Sequence, residues 1–523
     1  VSSTQRDGYT RNETTGNRVD DQKVAGGRLS LRYRPSERLD AVFTLDHVDQ
    51  DQKGQPRDNV CDASLDGGVH CVGVNPDPRR VNAVEDGYLR REVTGLTANV
   101  DYELDWGTLT SVTAYRTADY AHADAFFSNP INPPAQIESF NENIEDTSQF
   151  SHEFRVSFDF PESRLHGVAG VYYLVEDIER NEILFQDFPV PAVTGVGSFP
   201  QQVDATSYAL FGQVSYDVTS RLTLTAGARM TWEEKDADLA AVLLEGPGLP
   251  PPLAEEFDIS TDESWDAFTP RFAVDYRVND DVMLYASAAR GFKSGGFQGT
   301  PGTAASAAVA YDPEFAWSYE AGAKTQWLED SLRLNVAAFY TDYEDLQVSQ
   351  LVPLCCVVIG NAATAEIQGV EVETLFRPAP GFDLNASYSY LDAEYESFAS
   401  GATADNTGNT LQRAPKHKFN FGAQYEWSAG DVGVFLARLD WTRQSKIFFE
   451  ASNTPLEVQE RYDLIDARLA LRAHDDSWEV ALWGKNLDDE LIKTHIVAFA
   501  PFGQQLNTYQ PPRTYGVTLS FRR

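Results

Sequence analysis

Long apolar runs are what this 523-residue chain lacks most clearly. Its longest, LVPLCCVVIG at 351–360, is about half of the ~20 residues a helix needs to cross a bilayer. No helical span is expected. Cations are also short: 42 Lys and Arg stand against 79 Asp and Glu, a formal charge of -37. A nucleic-acid binder needs a basic face that displaces counterions, so no nucleic-acid partner is expected. Solvated acidic loops are the plain reading of the surplus. Only 4 cysteines occur, and none forms a C-x-x-C pair, which leaves zinc and redox motifs unsupported. Cys61 and Cys71 flank the polar stretch CDASLDGGVHC, where a loop-closing disulfide is the natural reading. The adjacent Cys355 and Cys356 are candidates for a disulfide at a loop tip, although a bridge between neighbours is strained. No Gly/Ser or Pro-rich linker separates two unlike halves. One large repetitive architecture is expected over residues 1–523, although the length alone suggests several domains.

What the chain has in abundance is strict alternation. In LRLNVAAFY, Leu332, Leu334, Val336, Ala338 and Tyr340 share one face, against Arg333 and Asn335. In FDLNASYSY, Phe382, Leu384, Ala386, Tyr388 and Tyr390 oppose Asp383, Asn385, Ser387 and Ser389. The segments 154–160, 222–230, 419–425, 465–472 and the terminal TYGVTLSF behave alike. Period-2 patterning of this kind is a strand signal. A mean hydropathy of -0.37 does not argue against a membrane, because a barrel strand shows lipid only every second residue.

The connections fall into two classes. Short ones such as PSER (35–38), DWG (105–107), TSR (219–221), NDD (279–281) and HDDS (474–477) alternate with long polar segments at 51–87, 123–145, 183–204, 238–262 and 298–312. Short turns on one rim and long loops on the other mark an outer-membrane barrel. The breaks enclose about twenty strands, within the range of such barrels. Trp106, Trp327, Trp427 and Trp478 all flank short turns, as an aromatic girdle beside the periplasmic rim requires. The expected fold is therefore all-β: a large antiparallel transmembrane barrel in the outer membrane of a Gram-negative bacterium.

The phrase LYASAARGFKSGGF (284–297) resembles the barrel domain of TonB-dependent outer-membrane receptors. The likeness continues through residues 311–347, NAATAEIQGVEVE (361–373), LQRAPKHKFNFGAQY (411–425), WGKNLDDE (483–490) and the terminal PPRTYGVTLSFRR. The resemblance implies a plugged barrel of ~22 strands, of which about twenty are present here. It also implies a plug domain and a TonB-engaging segment that precede the barrel. Neither is seen before SSTQRDGY, so a barrel truncated at its N-terminus, without its plug, is expected. The last strand must pair with the first to leave no backbone edge in lipid, and a seam or unusual closure is expected at that junction.

No enzyme constellation is present. The eight histidines lack i, i+4 zinc spacing, GFKSGG is not a phosphate loop, and no G-x-S-x-G elbow occurs. No catalytic residue, metal ligand or cofactor is assigned. By parity Arg333, Asn335, Asp383, Asn385, Gln424, Asp466 and Arg468 line a polar lumen, bonded to one another or to a plug. Ligand capture is expected from the long loops, where Arg290, Phe292, Lys293 and Phe297 offer donors and aromatic faces. The implied function is TonB-dependent import of a scarce bulky ligand, with a ferric siderophore as first choice. A carbohydrate or other organic nutrient is the alternative cargo, and a passive porin-like barrel the alternative class. Expected partners are the lipid bilayer, the TonB complex and a small-molecule ligand, and the barrel is expected to be a monomer.

Overall fold

The computed structural model describes the backbone of all residues except 56, 62–74, 129–137, 161–162, 190–191, 247–254, 352–356, 401–403, 500–503 and 523. Its main sheet has 21 strands among the described residues. One of them, Ala404–Asp405, folds back on the strand before it. The other twenty run antiparallel in chain order, from Ser2–Arg6 to Thr514–Phe521. No helix among the described residues is long and apolar enough to cross a membrane. The short turns fall where the sequence places them: Asn279 and Asp281 bracket one, and Thr219 hydroxyl accepts from the Arg221 and Leu222 amides in another.

Strand Ala192–Thr219 shows where the bilayer sits. Tyr208, Leu210, Val214 and Tyr216 alternate outward and are 40–58% exposed, an apolar run with a tyrosine at each end. Nine residues at ~3.3 Å each, tilted by ~40°, rise roughly 23 Å, close to the height of a barrel's apolar band. The band continues as Leu224 to Trp232 and Phe268 to Tyr276 on the next strands, then as Tyr319 to Trp327. On the short-turn side, Trp106 stacks on Phe160 at 5.7 Å, and Trp427 stacks on Tyr425 and Phe435 at 5.6 and 5.4 Å. These rings form the lower girdle that the tryptophan positions predict.

Aromatic side chains that face the lumen lie flat over glycines of the adjoining strand. A Cβ on Gly170 would stand 2.6 Å from the Phe211 ring, one on Gly322 2.7 Å from Tyr285, one on Gly369 2.6 Å from Phe339, and one on Gly516 2.5 Å from Trp483. Such glycines leave the ring a seat against the backbone. Polar lumen residues pair with one another: Arg438 donates to both Asp440 oxygens (2.6 and 2.8 Å), to Gln424 (3.5 Å) and to Asn385 (3.4 Å). Arg377 donates to Asp383 at 2.8 Å, and Arg468 pairs with Glu479.

Two findings depart from the long-loop picture. Segments 123–145, 183–204 and 238–262 are largely the tops of hairpins, because strands Gly107–Ser128, Glu138–Asp159, Leu165–Pro189, Ala192–Thr219, Leu222–Glu245 and Phe257–Arg277 run on above the upper girdle. Outside lipid the backbone ladder persists without apolar partners on its outer face, so polar alternation there still makes strand. Strand Ala192–Thr219 continues sixteen residues above Tyr208, a rise of roughly 40 Å. The second finding concerns closure. No register of paired residues joins Thr514–Phe521 to Ser2–Arg6 or to Gln22–Tyr33 among the described residues, and Tyr515, Val517, Leu519 and Phe521 are 62–82% exposed. Ser2–Arg6 pairs only with Gln22–Gly26, which leaves Leu29 and Leu31 on an open edge. This is the seam anticipated at the end strands.

Candidate functional site

The barrel opens above the upper girdle, and three structures shape that mouth. The first is the tall wall of hairpins. Its inner face carries a row across four neighbouring strands, Arg91, Tyr120, Glu145 and Arg180, placed opposite one another by register. Arg180 donates to Glu182 at 2.8 Å, and Glu182 also accepts from Asn141 (2.7 Å) and Thr300 (2.9 Å).

The second is a strap, residues 294–312, which follows the strand ending at Lys293. It folds inward because its apolar side chains find the wall: Phe297 and the buried Ala307 pack on Ala237, Leu239, Val203, Phe257 and Ile259. Polar groups then pin its first residues from two sides. Lys235 donates to the Gly295 carbonyl at 2.7 Å and lies over the Trp265 ring, while Ser294 bonds Glu233 and Gln201 bonds the Gly299 carbonyl. On the far side Gln298 donates to the Ile359 carbonyl (2.7 Å) and accepts from its amide (2.9 Å). The strap thus joins the wall to strand Val357–Ala379, five strands away.

The third is a canopy of folded loops beside the seam. Asp58–Cys61 pairs with Gln504–Tyr509, and that strand with Lys493–Phe499, so the first and last long loops share a three-stranded sheet. Arg79 stands between the Tyr9 and Tyr509 rings, 5.1 and 5.5 Å from their centroids, and donates to the Gln510 carbonyl at 2.6 Å. Tyr509 hydroxyl donates to Asp58 at 2.9 Å; burial nevertheless pushes the Asp58 carboxyl up to about 6. A second pair of loops is zipped by Asn453, whose side chain donates to the Thr410 carbonyl (2.9 Å) and accepts from the Thr410 amide (2.8 Å). Between these loops burial, reinforced by Glu457, raises the Glu450 carboxyl to about 7. Burial and the cations Arg57 and Arg413 lower His495 to about 4, leaving a neutral imidazole beside the Arg57–Asp124 pair.

The four loop residues expected to take ligand do not form one surface. Arg290 and Phe292 share parity with the lipid-side Leu284. The Arg290 guanidinium lies 4.0 Å from the Phe315 centroid, near Glu344, and Phe292 stacks on Phe315 at 6.3 Å. Lys293 is exposed on the opposite, inner side. Phe297 seats the strap. Cys71, Cys355 and Cys356 lie outside the described residues, and Cys61 is described only as backbone in the canopy sheet. Alternation gave no signal for the strap or the canopy, since their polar contacts join residues distant in sequence. Glycines falling opposite lumen-facing aromatics were a signal present but unread. Among the described residues no group of three or more His, Cys, Asp or Glu is arranged to hold a metal ion.

A twenty-strand bore with short turns below and a roofed mouth above defines a large outer-membrane receptor barrel. The family model described as TonB dependent receptor-like, beta-barrel matches residues 33–487, and the chain belongs to that family. Among relatives, the pesticin receptor of Yersinia pestis is 23% identical over 432 residues, which cover 81% of this chain and 58% of that receptor. The metal-pseudopaline receptor CntO of Pseudomonas aeruginosa is 30% identical over 176 residues, 33% of this chain and 23% of that one. The chain therefore spans little more than half the length of the pesticin receptor. The same fold is seen in the crystal structure of the ferric yersiniabactin uptake receptor FyuA from Yersinia pestis, with a TM-score of 0.80 at 18% identity over 98% of this chain and 73% of that one. The siderophore receptor PiuA from Acinetobacter baumannii matches with a TM-score of 0.76 at 16% identity, covering 99% of this chain and 76% of that one.

Proposed function

We propose that this barrel serves the active import of a ferric siderophore across the outer membrane, with energy delivered through TonB. The observation that carries the reading is the mouth itself: a wide bore roofed by a strap and a canopy held by specific side-chain contacts, in a chain of the TonB-dependent receptor family. A passive pore has no use for so many pinned contacts above its lumen. The named cargo of the relatives supports the same reading. No nucleotide loop occurs in the chain, and an energy source outside it accounts for that.

The test is radio-iron uptake in a Gram-negative host stripped of its own siderophore receptors and expressing this gene. Uptake of a ferric siderophore is expected, and its loss with a protonophore or without TonB. Uptake indifferent to both would make the barrel a passive pore. Expression induced by a glycan and unmoved by iron would point to an organic nutrient instead.

A further inference from the structure

Carboxylates are in surplus throughout this chain, 79 against 42 Lys and Arg, and on the outer face of the wall Asp204, Asp236 and Asp262 even stand opposite one another across three strands. Arginines that face the bore are mostly matched: Arg155 pairs with Glu153 at 2.6 Å, Arg377 with Asp383 at 2.8 Å and Arg438 with Asp440 at 2.6 Å. Two neighbouring ones are not. Arg229 and Arg271 point inward from strands Leu222–Glu245 and Phe257–Arg277, opposite in parity to the lipid-facing Trp232 and Phe272. Among the described residues neither has a carboxylate at ion-pairing distance. Arg229 lies opposite Thr269, which sets Arg271 on the diagonal, about 7–8 Å away along the sheet. Two long side chains can converge on one group across that distance.

The surroundings of the pair are neutral. Arg271 is exposed amid Gly227, Thr269, Ala273 and Ala289, and makes no side-chain hydrogen bond, ion pair or ring contact. Arg229 Nε donates to Thr231 at 3.0 Å, and its guanidinium lies 5.2 Å from the Tyr172 centroid and 5.7 Å from that of Phe211. The cations above them already have a carboxylate beside them: Lys235 holds Glu233 at 3.1 Å, and Lys293 faces Glu314 across the ladder. Arg91 lacks one but stands five strands from Arg229. Below, the next inward carboxylate on the strand is Asp275, four residues or roughly 13 Å from Arg271. Arg229 is three residues below Trp232, so the pair lies roughly 8 Å under the upper girdle. That is beneath the level at which Lys235 and Glu233 pin the strap.

We infer that Arg229 and Arg271 form an anion station on the bore wall just under the mouth, and that it takes chelates whose negative oxygens are carried on aromatic rings, as in a catecholate. The inference rests on the reading of the chain as a metal-chelate importer. A guanidinium is a planar fork of donors that meets paired oxygens and also stacks on rings. The two forks would take the oxygens, while the Tyr172 and Phe211 rings offer aryl contact at the same place.

Three ferric chelates serve as probes on the purified chain in detergent, read by tryptophan quenching at equilibrium: a triply anionic tris-catecholate, an anionic aliphatic hydroxycarboxylate and a neutral trihydroxamate. The tris-catecholate is expected to bind tightest. R271Q changes a side chain without a bonded partner, so it should keep the heat-modifiable mobility of a folded barrel. It should weaken the tris-catecholate about 10-fold and leave the trihydroxamate unchanged. R229Q should act in the same direction, and R271K should restore only part of the affinity, because it returns the charge without the fork. If R271Q binds the tris-catecholate like the unaltered chain, or weakens all three probes equally, the station fails while import of ferric chelates stands. Binding of the hydroxycarboxylate as tight as that of the tris-catecholate would overturn the aryl assignment. If none of the three binds, the chelate reading itself fails and takes this inference with it.

Discussion

The tall wall and the canopy both rise above the membrane, and they do so by opposite means. The wall extends its backbone ladder: strand Ala192–Thr219 pairs with its neighbour from Leu165 up to Pro189 without a register shift. Its outer face needs no packing and tolerates opposed carboxylates. The canopy abandons the ladder. Several barrel strands there are short, such as Trp478–Lys485 with 8 residues and His417–Ser428 with 12, and the chain above them is held by amide zippers, rings around Arg79 and buried titratable groups. Order in the wall thus comes from local pairing, while order in the canopy comes from a few side chains that join distant segments. The canopy should be the more fragile of the two and the more sensitive to pH.

The sharpest break between membrane and wall lies on one strand. Phe272→Arg, at the centre of the Phe268–Tyr276 band, should cost about 2–4 kcal/mol in folding from urea into lipid vesicles. Asp262→Arg, ten residues away on the same outward face, should cost nothing measurable. Comparable losses at both sites would mean that the band is misplaced.

In the canopy, Asn453→Ala removes both bonds to Thr410 from a residue at a φ of 53°, where Asn is better suited than Ala. A loss of about 2 kcal/mol, confined to the loops, is expected. Limited proteolysis within 445–461 should accelerate more than 10-fold while the barrel core stays protected. Unchanged cleavage would show that the loops are held by something other than this zipper.

The pH dependence has a definite sign. Glu450 and Asp58 have folded pKa values raised to about 7 and about 6. Folding therefore favours their protonated forms, and their contribution is greatest below the ordinary carboxyl range and lost as pH rises to 7. His495, lowered to about 4, opposes them, since its contribution falls as pH drops from its ordinary value toward 4. Two carboxyls against one imidazole should make the canopy open several-fold more readily at pH 8 than at pH 5.5, read by hydrogen exchange. Glu450→Gln should flatten that profile, and the wall should show no comparable trend.

The smallest effect belongs to the wall. Asp236→Asn relieves two opposed charges and should stabilise by a few tenths of a kcal/mol, measured as a urea midpoint at low salt. A destabilised variant would show that these carboxylates are held by a cation.

How much of this was legible in the sequence follows the same division. Alternation with apolar partners placed the strands at 222–230 and 332–340, and short turns placed the lower rim, because both are local. The wall is hidden for one reason: outside lipid the alternating partner of a polar residue is another polar residue, so 183–204 reads as loop although 183–189 and 192–204 lie in paired strands. The strap and canopy were out of reach, since nothing near Gln298 announces Ile359 and nothing near Tyr9 announces Tyr509. Composition alone groups Arg290 with Lys293, whereas parity sets them on opposite sides of one strand.

The flattened lumen rings carry a last consequence. At Gly170, Gly322, Gly369 and Gly516 the calibre of the bore is set by the absence of a single methyl group. At Gly516 the three nearest neighbours of an added methyl all belong to the Trp483 ring, so alanine there would tip that ring off the backbone and into the passage, whereas at Gly170, Gly322 and Gly369 the methyl would also meet a backbone carbonyl of a neighbouring strand. Gly516 is therefore the position that acts as an adjusting screw on the width of the bore.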